Sequence, residues 1–262
     1  VELRLTCHSI SVPLLFDMLR PLTQLQLFSL STATSQKITE HIEPPNLPQL
    51  ETLMYWAWRP VPQIEEWIQT LTQLKDISLR CKNVEQIVSK LPQLTAVRYF
   101  MGDRIESEGV ATLTELTSIV LDLTSVDAGA LLRGWPNLRK AELSLGENND
   151  FPSIWLALSE LTHLSHLTIK TTPACLKLPD GLKELTQVTS LMLRVHSLGD
   201  GAHILLPLLH SLPNLKQLYA NGMYYWETME AIWPWIGQRS QMDQLSLVCN
   251  RSVSYGSLQF QL

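Results

Sequence analysis

Two sets of side chains in this 262-residue chain are of the types that dominate binding surfaces. Trp56, Arg80 and Phe100 stand 24 and 20 residues apart, with Met54 and Arg98 two residues ahead of the two aromatics. Lys170 and Arg194 are also 24 apart, and Met192 and Tyr219 are 27 apart. Their chemistry is noncovalent: aromatic faces for stacking, guanidinium forks for carboxylates, thioethers for irregular apolar contact. Covalent and metal chemistry find no comparable set. None of Cys7, Cys81, Cys175 and Cys249 has C-x-x-C spacing, and the seven histidines are scattered, with the nearby His163 and His166 at ordinary polar positions. There is no glycine-rich phosphate loop, no G-x-S-x-G and no H-E-x-x-H, and Gly199-Asp-Gly201 reads as a turn before a helix. No catalytic, cofactor-binding or metal-binding residue is assigned.

The regular spacing comes from a repeat. Leu22-Thr-Gln-Leu25-Gln-Leu-Phe28-Ser-Leu30 returns as Leu47-Pro-Gln-Leu50-Glu-Thr-Leu53-Met-Tyr55. It recurs as Leu71-Thr-Gln-Leu74-Lys-Asp-Ile77-Ser-Leu79 and Leu91-Pro-Gln-Leu94-Thr-Ala-Val97-Arg-Tyr99. Further copies begin at Leu113, Trp135, Leu161, Leu185 and Leu212, a degraded one begins at Arg239, and Val1 to Leu5 fits the phrase's second half. The mean step is about 24 residues, and every position of the four apolar columns except Arg239 is hydrophobic. The second position is Thr, Pro or Ser in each copy and the third is Gln, Glu, Asn or His.

The closing apolar-x-apolar stretch alternates with period two, so each phrase ends in a short strand with one face inward. About ten residues remain for the return path, which suits a parallel crossover and not a hairpin. Helical returns are expected over Pro62–Leu71, Asn83–Leu91, Asp150–Leu161, Gly201–Leu212 and Trp226–Ile236, from apolar spacing and from capping residues such as Asp150 followed by Pro152. Arg104–Thr112 and Leu176–Leu185 read as irregular. Trp67, Trp155, Trp226, Trp233 and Trp235 lie in the return segments and are expected to pack, and Trp135 belongs to the core.

The phrase resembles the leucine-rich-repeat family, whose pattern L-x-x-L-x-L-x-x-N/C-x-L is met by Leu74-x-x-Ile77-x-Leu79-x-x-Lys82-x-Val84. The family's Asn/Cys column holds Asn only at Asn250, so no continuous asparagine ladder is expected. The chain is thereby similar to the irregular, helix-backed intracellular members. The resemblance implies an α/β fold: a right-handed leucine-rich-repeat solenoid (horseshoe) of about eleven repeats, with a concave parallel β-sheet and short convex helices. It is read as one domain over residues 1–262, belonging to a longer protein.

In such a stack the strand residues that do not face the core line the hollow, one strand step of about 4.8 Å apart. Met54, Trp56, Arg80, Arg98 and Phe100 then gather on three consecutive repeats, and Lys170, Met192, Arg194 and Tyr219 form a second, more basic group. A protein partner on the concave face is expected, with no cofactor, no nucleic acid and no membrane. The formal charge of −5 gives no general attraction to polyanions, and the longest apolar run, Ile204–Leu209, is six residues with Pro207 inside it. Cysteines on strands several repeats apart are too distant for disulfides, which points to a cytoplasmic setting. The resemblance extends to repeats that select substrates in F-box-type ubiquitin ligases and to sensor or autoinhibitory repeats of nucleotide-binding immune receptors, with a bacterial effector or a scaffold as further alternatives.

Overall fold

The computed structural model describes residues 1–35, 42–57, 61–81, 84–100, 113–122, 128–146, 149–171, 184–195, 202–221, 226–239, 241–251 and 254–261. At 10, 33–35, 85, 99–100, 202–204, 226–231 and 248–261 it describes the main chain alone. The returns at 104–112 and 176–183, Cys175 and most of the family's Asn/Cys column lie outside the described residues, as does the Phe100 side chain.

The chain divides into two compact units, Val1–Val120 and Leu121–Leu262. The first holds β1 (Glu2–Ile10), α1 (Val12–Leu19), β2 (Leu27–Ser35), β3 (Thr52–Ala57), α2 (Pro62–Gln69), β4 (Asp76–Arg80), α3 (Val84–Val88) and β5 (Ala96–Phe100). After β6 (Ser118–Asp122), which spans the division, come α4 (Ala128–Arg133), β7 (Lys140–Ser144), α5 (Phe151–Glu160), β8 (His166–Thr171) and β9 (Ser190–Val195). They are followed by α6 (Ala202–His210), β10 (Gln217–Asn221), α7 (Trp226–Gly237), β11 (Gln244–Arg251) and β12 (Ser254–Gln261). β1 to β5 pair in parallel and in chain order in the first unit, and β7 to β11 do so in the second. This is the leucine-rich-repeat solenoid that the phrase implies.

Each L-x-x-L opening is a hydrogen-bonded turn. The N–H of its fourth residue donates to the carbonyl of its first in all ten copies, from Leu25→Leu22 at 2.9 Å to Met242→Arg239 at 3.3 Å. Pro48, Pro92, Pro136 and Pro213 stand at the second position, where a fixed φ favours the turn. Both apolar ends of the turn go inward, as at Leu47, Leu50, Leu71 and Leu74. The degraded copy still makes the turn, and its Arg239 lays its guanidinium 4.8 Å from the centre of the Trp235 ring and donates to the Pro213 carbonyl.

Two ladders join successive repeats. In the first, the carbonyl just ahead of each strand accepts two N–H groups from the following repeat. Gln26, Glu51, Lys75 and Thr95 do this in the first unit, and Arg139, Ser165, Thr189 and Lys216 do it in the second. The second ladder uses the Gln/Asn position of the turn. Gln73 Nε2 donates to the Leu47 carbonyl at 2.6 Å, Gln93 to Leu71 at 3.5 Å, Gln187 to Leu158 at 3.0 Å, Asn214 Nδ2 to Thr186 at 2.8 Å and Gln241 to Pro213 at 2.6 Å. An amide column at the turn thus does the stitching for which the Asn/Cys column lacks the residues.

The helices follow the expected returns closely, α3 being shorter, and α1 and α4 are additional. Asp150 caps α5, its carboxylate accepting from the Ser153 N–H at 3.4 Å. Trp67 is buried, lies edge-on to Phe16 with ring centres 5.5 Å apart, and donates its indole N–H to the Pro45 carbonyl at 3.0 Å. Trp135, Trp155 and Trp235 are buried as expected. Trp233 is not: Ile232, Trp235 and Ile236 form the inward face of α7, and Trp233, one position from Ile232, is 50% exposed. Trp226 is described by its main chain only.

One strand departs from the all-parallel expectation. β12 pairs antiparallel with β11, with Leu258 in register with Leu247 and Phe260 with Leu245. Only residues 252–253 separate the two strands, and so short a connection permits antiparallel pairing alone.

Candidate functional site

The strand faces turned away from the core carry the candidate residues. In β3 the pattern is strict: Leu53, Tyr55 and Ala57 are buried while Met54 and Trp56 are not. Trp56 is in register with Arg80 on β4 and Ser31 on β2, and Met54 is in register with Ser78 and Ser29. Ser78 in turn pairs with Arg98 on β5. Met54, Trp56, Arg80 and Arg98 therefore occupy adjacent positions on one face of three neighbouring strands, and the Phe100 main chain continues the face along β5.

Trp56 is 42% exposed, and its indole N–H donates to Ser78 Oγ at 3.3 Å. Ser78 is buried, so the hydrogen bond ties an exposed aromatic ring to a fixed point in the sheet. Beside it Arg98 donates to Asp76 Oδ2 at 2.6 Å. Burial pushes the Asp76 carboxyl up from its ordinary value, and the charge and hydrogen bond of Arg98 pull against that shift. Behind the face Tyr55 is fully buried, its phenol pushed up by burial first and then by Glu65 and Cys81. Along the turns of the same repeats a groove of about 430 Å³ runs past Gln49, Gln73 and Gln93, walled by the Glu51–Lys75 ion pair at 2.6 Å.

The second unit presents the other set. Lys170 on β8 is in register with Arg194 on β9, and Met192 on β9 with Tyr219 on β10. Lys170 forms an ion pair with Glu142 of β7. Ahead of them Lys140 pairs in register with His166, whose pKa is lowered by burial and then by the Lys140 charge. Arg194 is exposed.

Of the residues named from sequence spacing, Met54, Trp56, Arg80 and Arg98 stand side by side, as do Lys170, Met192, Arg194 and Tyr219, while the Phe100 side chain lies outside the described residues. Spacing did not find the partners that hold them. Period two places Ser78 and Glu142 on the open face without marking them as partners, and Asp76, which shares the outward phase of Ser78 and Arg80, carried the same signal. Among the described residues neither Cys7 nor Cys81 is in a disulfide, and no group of three His, Cys, Asp or Glu is placed to hold a metal ion. Among them, too, no helix is long and apolar enough to cross a membrane.

No protein-family model and no curated protein matches the chain. Solved structures do. An internalin (inlF) from Listeria monocytogenes superposes with a TM-score of 0.52 at 18% identity, over 86% of this chain and 68% of that one. Internalin C2 from the same organism gives 0.49 at 18% identity, over 72% and 76%. The TLR13–ssRNA13 complex gives 0.43 at 16% identity, over 87% of this chain and 38% of that chain. At these identities the likeness is one of fold.

Proposed function

We propose that this leucine-rich-repeat chain is a non-catalytic protein-recognition module that holds a protein partner against the open face of its sheet. Met54, Trp56, Arg80, Arg98 and Phe100 form the main docking centre, and Lys170, Met192, Arg194 and Tyr219 a second one. The observation that carries the reading is Trp56, a large aromatic kept 42% exposed while its indole N–H is bonded to buried Ser78. A ring fixed before binding loses little conformational freedom when it docks, and Trp beside Arg is the composition that concentrates binding energy. A reducing, cytoplasmic setting belongs to this reading, because Cys7 and Cys81 stand three repeats apart, beyond the reach of a disulfide.

The test uses a photo-crosslinking residue at Ser31, the register neighbour of Trp56. The expected result is a protein crosslinked in the native chain and absent when Trp56, Arg80 and Phe100 are all changed to Ala, with the thermal unfolding midpoint unchanged. Equal crosslinking of the same proteins by both chains would remove this face from recognition.

A further inference from the structure

The cations on the two sheet faces are treated differently. On the first unit's sheet Arg4 is paired with Glu2 and Arg98 with Asp76. On the second, Lys170 and Arg194 lie directly opposite each other on adjacent parallel strands. Like charges in cross-strand register repel. Among the described residues of β7 to β10, Glu142 is the one carboxylate on this face, it reaches Lys170, and none pairs with Arg194. In a chain with a formal charge of −5 this is a local excess of positive charge, held in place by the register. An anion placed between Lys170 and Arg194 would relieve it.

The neighbouring positions say what kind of anion. Met192 and Tyr219 are in register two residues back along the same face, about 6.6 Å from the Lys170–Arg194 row at the usual strand rise, and both are half-buried. With the offset of one strand the two seats are about 8 Å apart, which alternate side chains of an extended peptide, two residues apart on one face, can span. We infer that the face formed by β8, β9 and β10 binds an extended acidic segment of a protein partner, its carboxylate seated between Lys170 and Arg194 and an apolar side chain two residues away on Met192 and Tyr219. Glu142 occupies Lys170 in the free chain and competes with the incoming carboxylate. This inference rests on the open-face reading for the second unit and is independent of Trp56.

The experiment measures fluorescence anisotropy of labelled peptides containing Glu-Ser-Phe in either chain direction, against Gln-Ser-Phe and Glu-Ser-Ser controls, on the full chain. The Gln control is expected to bind about tenfold more weakly, as is the Glu peptide to an Arg194→Ala variant. Binding should weaken as salt is raised to about 0.15 M. Glu142→Gln should tighten binding several-fold by releasing Lys170, a gain that no folding defect can imitate. Met192→Ala should weaken it, and Trp56→Ala should leave it unchanged. Equal binding of Glu and Gln peptides would overturn the inference, as would indifference to Glu142→Gln. So would a single-stranded oligonucleotide that outcompetes the acidic peptide, by assigning the face to a nucleic acid. Loss of the Ser31 crosslink in the Trp56 variant, with no peptide bound, would leave the first docking centre standing and remove this one alone.

Discussion

The amide column makes a prediction whose size can be read from two distances. Gln73 donates to the Leu47 carbonyl at 2.6 Å, whereas Gln93, one repeat later and in the same role, reaches Leu71 only at 3.5 Å. Both carbonyls also accept from their own turns, Leu47 from the Leu50 N–H at 3.1 Å and Leu71 from the Leu74 N–H at 3.1 Å, so neither is orphaned when the amide is removed. The loss is then the net worth of one neutral hydrogen bond, about 1 kcal/mol for Gln73→Leu. At its limiting distance Gln93→Leu should lose less than about 0.5 kcal/mol. Gln73→Glu sharpens the test: at neutral pH its carboxylate cannot donate and faces a carbonyl oxygen, so it should be worse than Leu. Below the ordinary Glu pKa of about 4.3 the protonated acid donates again, and the deficit against the native chain should close. Urea unfolding followed by far-UV circular dichroism, at pH 7 and at pH 4, measures all three. Equal losses at positions 73 and 93, or a Gln73→Glu deficit that does not change with pH, would refute the stitching role.

Three further outcomes follow from packing and charge. Trp67→Phe removes an indole N–H bonded to the Pro45 carbonyl at 3.0 Å, while Trp155→Phe removes a buried one with no hydrogen-bond partner among the described residues. The first should therefore destabilise by about 1–3 kcal/mol more than the second in chemical denaturation. Gly129→Ala should destabilise by about 1–3 kcal/mol, measured in the same way, because a Cβ there would lie 2.0 Å from Ser153 Oγ and 2.8 Å from the Ser153 carbonyl carbon. Asp76 has a raised folded pKa, so the stability linked to it is fully present below the ordinary carboxylate value of 3.8 and is lost as pH rises through the folded value. Arg98→Ala removes the group that opposes this shift, so thermal midpoints across pH 3 to 7 should fall more steeply than in the native chain.

The eleven strands of the repeat were legible because the core uses the same four columns every time, and a column repeated at steps near 24 residues stands clear of a 45% hydrophobic background. The face opposite the core was legible for the same reason, since period two assigns Met54, Trp56 and Arg80 outward once Leu53 and Tyr55 are placed inward. β12 was missed because it belongs to no repeat, although the alternation of Leu258 and Phe260 was in view. α1 and α4 were missed because their returns are short and apolar nearly throughout, which blurs a helical period. The carbonyl ladder leaves no trace at all: it is made by main chain, so Gln26, Glu51, Lys75 and Thr95 share a role without sharing a side chain.

That division of labour explains how the surface is free to specialise. Turn, strand register and inter-repeat stitching are held by main-chain groups, by inward apolar columns and by one amide column, none of which faces outward on the sheet. The outward positions are then released from folding duty, apart from avoiding charge conflict with the next strand. In the first unit that condition is met, since Asp76 answers Arg98. In the second it is not met at Lys170 and Arg194, a register pair that Glu142 answers on one side only. A fold stitched through its backbone can carry such a mismatch at small cost to stability, and the position where it does so is the one that a ligand of opposite charge would complete.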